Sequence, residues 1–183
     1  ILVSGDLTMQ GYWNNPEATA EVLKAGWIHT GDIGHIDDDG HLVITDRKKD
    51  IIVNSGGDNI SPQRVEGVIC MEPEIAQAMV YGDKRSHLVA LLVTDENWLK
   101  AWAKSQNKPE SLSELAKDID LQKTLAPAIE KINAKLSSIE KIRRYILATE
   151  PFSIENEQLT PTMKVRRHKI MEIYGLALEA LYR

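Results

Sequence analysis

The chain has 183 residues, 43% apolar and 27% charged, with a formal net charge of −5. Those proportions fit a globular protein of one or two domains, and the acidic balance argues against a nucleic-acid-binding face. The single cysteine excludes an internal disulfide, and no apolar run nears the ~18 residues of a membrane span. Cys70 lies among Val68, Ile69 and Met71, which predicts an inert buried thiol. No initiator Met or basic-then-apolar leader is present, and Ile1-Leu2-Val3 reads as a strand already under way. A fragment of a longer chain is expected.

Residues 1–47 read as short strands and turns. Asn15 can cap a short helix opened by Pro16 and Glu17, with Ala18, Val22 and Leu23 as its apolar side and Gly26 as its stop. Trp27 to Asp32 is a strand running into a glycine turn. Two β segments, Ile33 to Ile36 and His41 to Thr45, flank Asp37-Asp38-Asp39-Gly40, a strong hairpin signal. A calcium loop is rejected there. Registered on Gly40 it would begin at His35 and end at Asp46, and strands rather than helices flank it.

From residue 50 onward the pattern changes. Ile51-Ile52-Val53 and Asn59-Ile60 flank a Ser55-Gly56-Gly57-Asp58 turn, and Ser61-Pro62 starts a helix with Val65 and Ile69 inward. Buried strands are expected at Ile75 to Tyr81 and Leu88 to Thr94, then a helix with Trp98, Leu99 and Trp102 inside. Residues 110–118 read as a surface helix. Leu125, Ile129, Ile132, Leu136 and Ile139 form a stripe that packs on a sheet rather than in a coiled coil, with Pro127 in or near a first turn. A strand from Arg144 to Ala148 and a last helix through Val165, Ile170, Ile173, Ala177 and Leu181 complete the pattern. The fold class is α+β: a small mixed sheet with packed helices.

Three stretches have the residue types that chemistry needs. Asp32, held after Thr30-Gly31, is either a turn residue or an acceptor for paired hydroxyls such as those of a ribose. Asp46-Arg47-Lys48-Lys49-Asp50 is a charge run that reads as an interdomain linker. Arg47 is a rigid fork for phosphate or sugar oxygens, and Gly56 and Gly57 permit close approach to the backbone. Thr160-Pro161-Thr162-Met163-Lys164 presents a lysine just before a helix, where a cation is electrostatically unfavourable unless it has another use. No P-loop occurs.

In this order the stretches resemble the adenylate-forming superfamily of acyl-CoA synthetases, luciferases and peptide-synthetase adenylation domains. Trp27-Ile28-His29-Thr30-Gly31-Asp32 is similar to its Thr-Gly-Asp motif. Asp46 to Ile52 is similar to its Arg-containing hinge, which Gly57 to Glu66 continues, and Lys164 falls at its C-terminal lysine. Gly11-Tyr12-Trp13-Asn14-Asn15-Pro16-Glu17 resembles a segment preceding these motifs. Asp-Arg-Lys-Lys at 46–49, Ile-Ser-Pro at 60–62, Phe152 to Asn156 and Thr-Pro-Thr-Met-Lys at 160–164 most resemble the long-chain fatty acyl-CoA synthetase branch. Two departures stand out. Met163 replaces a glycine, and Val53 stands where some relatives have a second lysine, so a thioester step assisted from that position is absent.

The resemblance implies ATP-dependent, AMP-forming activation of a carboxylate, a fatty acid, followed by transfer to CoA. Asp32 and Arg47 would bind the ATP or AMP ribose region, Lys164 would bridge carboxylate and phosphate oxygens, Gly56 and Gly57 would border the CoA channel, and Lys49 would be the hinge. Mg would act with ATP, with no ligands in this stretch. It further implies that residues 1–48 are a β-rich edge of a large N-terminal AMP-binding domain and 49–183 a mobile C-terminal α+β domain. The protein would be cytoplasmic, with peripheral membrane contact compatible through the missing part, and the fragment alone inactive. Two alternatives stay open: an acyl-AMP ligase loading a carrier protein, and a non-catalytic interaction module.

Overall fold

In the computed structural model, which describes residues 1–183, the chain divides into units Ile1–Ile51 and Ile52–Arg183. The first unit has β1 (Leu2–Val3), α1 (Pro16–Val22), β2 (Leu23–Lys24), β3 (Trp27–His29), β4 (Asp32–Ile36) and β5 (Leu42–Arg47). The Asn15 side chain accepts from the Ala18 amide at 3.0 Å, and Pro16 occupies the first turn of α1.

The helix stops at Val22, short of Gly26. Leu23 and Lys24 pair with Ile28 and Trp27 instead. Ala25 and Gly26 have φ of 50° and 80°, which makes Gly26 part of a two-residue hairpin turn of the left-handed kind. β4 and β5 form the expected Asp-Gly hairpin, in which Asp37 Oδ1 accepts from the amides of Asp39 and His41. The ladder is longer than the apolar pattern indicates, reaching Asp32 and Arg47. No hydrophobic residue of this unit is buried; Asp46 alone is.

The second unit contains β6 (Ile52–Val53), β7 (Asn59–Ile60), α2 (Pro62–Ile69), β8 (Ile75–Tyr81), β9 (Leu88–Thr94), α3 (Glu96–Ser105), α4 (Leu112–Leu115), α5 (Ile119–Lys135), β10 (Ile142–Leu147) and α6 (Arg167–Ala180). Its sheet has the order β10-β9-β8, with β9 antiparallel to β8 and parallel to β10. All seven residues of β9 are buried, as a central strand covered on both faces requires. Side chains alternate across the sheet. Leu88, Ala90 and Leu92 join a core that includes Val65, Ile69, Leu99, Leu125 and Ile132 from the helices α2, α3 and α5. Val89, Leu91 and Val93 join the other, with Phe152, Leu159 and α6 residues Ile170, Tyr174 and Leu178. The result is the α+β layered unit expected, with the mixed sheet in the middle.

Four local expectations need correction. Residues 110–118 give only the four-residue α4, and Leu115 and Ala116 are buried rather than on a surface helix. Pro127 lies in the interior of α5, not near its start. Its missing N–H and its clash with the preceding turn oppose helix continuation. The buried face of Leu121, Leu125, Ile129 and Ile132 outweighs that local preference. In α6 the inward residues run Ile170, Tyr174, Leu178, whereas Ile173 and Ala177 are exposed. The neighbouring aliphatics masked a tyrosine that belongs to the core. Cys70 caps α2 and is solvent-exposed, not buried. Partial desolvation and the nearby Glu66 carboxylate still push its thiol up to about 11, so it stays protonated and unreactive at neutral pH.

Candidate functional site

Asp32 and Arg47 are 15 residues apart, yet the β4–β5 register sets them opposite each other. Arg47 Nε donates to Asp32 Oδ1 at 3.0 Å, and Arg47 Nη2 donates to the Thr30 carbonyl at 3.1 Å. The Lys48 amide donates to the Gly31 carbonyl at 2.7 Å, fastening the end of the hairpin. Gly31 has φ of 77°, a backbone state that favours glycine. The Thr30 hydroxyl accepts from the Asp32 amide at 3.0 Å, so the carboxylate is aimed by its own backbone. Oδ2 of Asp32 makes no hydrogen bond, and the Arg47 side chain is about half exposed. The pair therefore offers one open acceptor oxygen beside an accessible guanidinium, which fits a vicinal diol. Lys49 follows in an exposed turn closed by the Asp50 amide on the Arg47 carbonyl.

In the second unit the Gly56-Gly57 turn is built around Asn54. Asn54 Oδ1 accepts from the amides of Gly56 and Asp58, both at 2.9 Å, and its amide nitrogen donates to Asp58 Oδ2 at 2.9 Å. Gly57 has φ of 88°, so the turn itself explains that glycine. Both glycines are exposed.

The Lys164 loop is a small hairpin. Leu159 bridges Val165, the Thr160 amide donates to the Lys164 carbonyl at 2.8 Å, and the Met163 amide donates to the Thr160 carbonyl at 2.8 Å. Thr160 Oγ1 accepts from the Lys164 amide at 3.0 Å. Pro161 follows Thr160 in the turn, where its fixed φ is favourable. Met163 then takes φ of 61°, a bulge position that favours glycine. Lys164 is exposed, and its ammonium has no hydrogen bond or ion pair. A free point charge is thus presented on a turn of defined shape. No group of three or more His, Cys, Asp or Glu side chains converges anywhere in the chain.

Reasoning from the residues missed what anchors this loop. Glu66 of α2 accepts from the Val80 amide at 2.8 Å and from Arg167 at 2.6 Å, tying the first residue of α6 to α2 and β8. Gln77 of β8 exchanges two hydrogen bonds with the Phe152 backbone, at 2.7 and 2.9 Å. The available signals were two polar residues within apolar patterns: Glu66 next to inward Val65, and Gln77 in the strand Ile75–Tyr81.

Known proteins similar to this chain share one family. Residues 49–183 match the AMP-binding enzyme C-terminal domain. The long-chain-fatty-acid–CoA ligase FadD15 of Mycobacterium tuberculosis is 38% identical over 184 residues, which cover 100% of this chain and 31% of that protein. Long-chain-fatty-acid–CoA ligase 1 of Cavia porcellus is 35% identical over 186 residues, covering 100% of this chain and 27% of its own length. This chain therefore spans less than a third of the curated relatives it matches. Among solved structures, the A domain of a carboxylic acid reductase from Segniliparus rugosus, in complex with AMP and a co-purified carboxylic acid, aligns with a TM-score of 0.82. It is 31% identical and covers 99% of this chain and 27% of that one. No helix here is long and apolar enough to cross a membrane. With its layered second unit, its lysine loop and a family match over residues 49–183, the chain belongs to the family of AMP-binding enzyme C-terminal domains.

Proposed function

We propose that this chain is the C-terminal part of an AMP-forming long-chain fatty acyl-CoA synthetase, an acid–thiol ligase working in the cytoplasm. The observation that carries the nucleotide part is the Asp32–Arg47 pair, whose carboxylate keeps one oxygen open. Residues 1–48 are the edge of a larger N-terminal AMP-binding domain, and residues 49–183 are the mobile domain. The relatives' names support the fatty acid as acyl donor.

In the first step a carboxylate oxygen attacks the α-phosphorus of ATP, and the bond to pyrophosphate breaks. Asp32 accepts from the ribose hydroxyls, and Arg47 holds the ribose region from the other side. The Lys164 ammonium sits between carboxylate and phosphate oxygens, where it offsets negative charge that grows in the transition state. Such placement supplies a few kcal/mol. Mg, when bound with ATP, would further neutralise the phosphates, and its ligands would lie outside these residues. In the second step the CoA sulfur attacks the acyl carbon and AMP leaves. The Gly56-Gly57 turn borders the pantetheine arm, and Lys49 is the pivot that exchanges one arrangement for the other, a hinge switch.

The complete protein should exchange labelled pyrophosphate into ATP only when a fatty acid is present, and should then form acyl-CoA. Residues 1–183 alone should form none. Acyl-CoA made by the 183-residue chain, or a complete protein that shows no carboxylate-dependent exchange, refutes the reading. A second acceptor has specific support, because the A-PCP didomain of the Segniliparus rugosus reductase aligns at 32% identity with a TM-score of 0.77. Offering CoA and a carrier-protein thiol side by side separates the two acceptors.

A further inference from the structure

The tip of the lysine loop is isolated from the unit that bears it. Every hydrogen bond of residues 160–164 closes on the loop itself. Thr160 and Thr162 bond each other, and Pro161, Thr162 and Lys164 are exposed. Met163 is the one tip residue that lines a cavity of about 260 Å3, whose wall includes Cys70 of α2, Ala78 of β8, Phe152, Leu159 and Val165. The residue as a whole is 65% exposed, so part of it is covered. Its backbone is left-handed, with φ of 61°. A bulky residue holds that conformation only where its surroundings over-determine it. Here the surroundings are the bridge between Leu159 and Val165, the turn's own hydrogen bonds, and the cavity wall beside it. A thioether suits such an irregular, partly filled mouth, because it is flexible and polarisable.

We propose that Met163 is a positioning residue for Lys164: its side chain, seated at the cavity mouth, ties the loop tip to α2 and β8 and thereby aims the adjacent ammonium. The residue disfavours its own backbone conformation, and the side-chain contact opposes that preference. Removing the side chain relieves the backbone and frees the tip in the same change. Stability and catalysis then move in opposite directions, which no purely structural role predicts.

The proposal rests on the reading of Lys164 as the adenylation residue, so the test includes Lys164→Ala. In the complete protein, Met163→Gly should melt no lower than the parent, because glycine accepts φ of 61°. Its single-turnover rate of acyl-adenylate formation should fall about 10- to 100-fold, the scale of a misplaced reacting group. KM for ATP and fatty acid should change less than about twofold, the mark of an interaction that matters in the transition state. Transfer from supplied acyl-adenylate to CoA should be unchanged. Met163→Leu, which keeps an apolar side chain at the mouth, should recover most of the adenylation rate. A Met163→Gly protein that adenylates like the parent, or a Met163→Leu protein as slow as Met163→Gly, overturns the proposal when Lys164→Ala is inactive in that step. If Lys164→Ala also adenylates normally, the assignment of Lys164 fails and this inference falls with it.

Discussion

The two units hold their candidate residues by different means. In the second unit the alternate residues of β9 are buried in two cores, and the lysine loop emerges next to Phe152 and Leu159, which belong to one of them. In the first unit no hydrophobic residue is buried, while Leu7, Trp13, Ile36 and Ile44 lie exposed. Asp32 and Arg47 are instead fixed by strand register, a glycine turn and charge-assisted hydrogen bonds. Geometry at a candidate residue can therefore be defined by local pairing and hydrogen bonds without a core, but stability is drawn from a core. A region with sharp local geometry and no core draws little stability from apolar burial.

That contrast is open to direct attack. The largest effect should come from Leu92→Ala, at the fully buried centre of β9. Truncating such a residue costs about 2–5 kcal/mol, measurable as a lower midpoint in chemical denaturation of the 183-residue chain. Lys164→Ala should leave that midpoint in place, since its side chain touches no protein partner. In the complete protein it should lower adenylation by roughly 100-fold, the range for removing one transition-state donor, with transfer from supplied acyl-adenylate nearly intact. Equal loss in both steps would refute its role. Asp32→Asn should raise KM for ATP by about tenfold, on the order of 1.4 kcal/mol, and should leave adenylation at saturating ATP within a few-fold.

A smaller effect should follow pH. Burial, with Arg143 and Arg144 adding to it, holds His87 below its usual range. The folded state therefore resists protonation, and the unfolded state takes up the proton first. The stability from this group is complete above the unfolded value near 6.5 and is lost as pH falls through the folded value. Solvent screening keeps it under about 1 kcal/mol. His87→Asn should flatten the dependence of the denaturation midpoint between pH 5 and 7. Smallest of all, Ile44→Ala should shift the midpoint by no more than about 0.5 kcal/mol, because Ile44 is 61% exposed. A loss near that of Leu92→Ala would show that the first unit has a core of its own.

Much of this was legible along the chain because the signals are local. The caps at Asn15 and Ser61, the Asp-Gly hairpin and the apolar strands Ile75–Tyr81 and Leu88–Thr94 all stand where the residues indicate. The motif order around Asp32, Arg47 and Lys164 points to the family that the comparisons identify. Where reading failed, packing overrode propensity. Pro127 is carried inside a helix by a buried face, and Tyr174 displaces Ile173 from the inner side of α6. Cys70 has apolar neighbours in sequence but ends a helix at the surface.

Residue order and local chemistry sufficed for the element types, the α+β class, the family and the candidate groups, since capping, periodicity and turn chemistry act over a few residues. They left open how those groups meet. Register alone brings Asp32 to Arg47 across the hairpin, and the fold alone ties Arg167 to Glu66 from 101 residues away. Tertiary packing also made Met163 more than a departure from a motif. Only in three dimensions does it occupy a left-handed turn at the mouth of a cavity beside the lysine. Contacts between residues distant in the chain depend on where whole elements pack, and no short window of sequence encodes that.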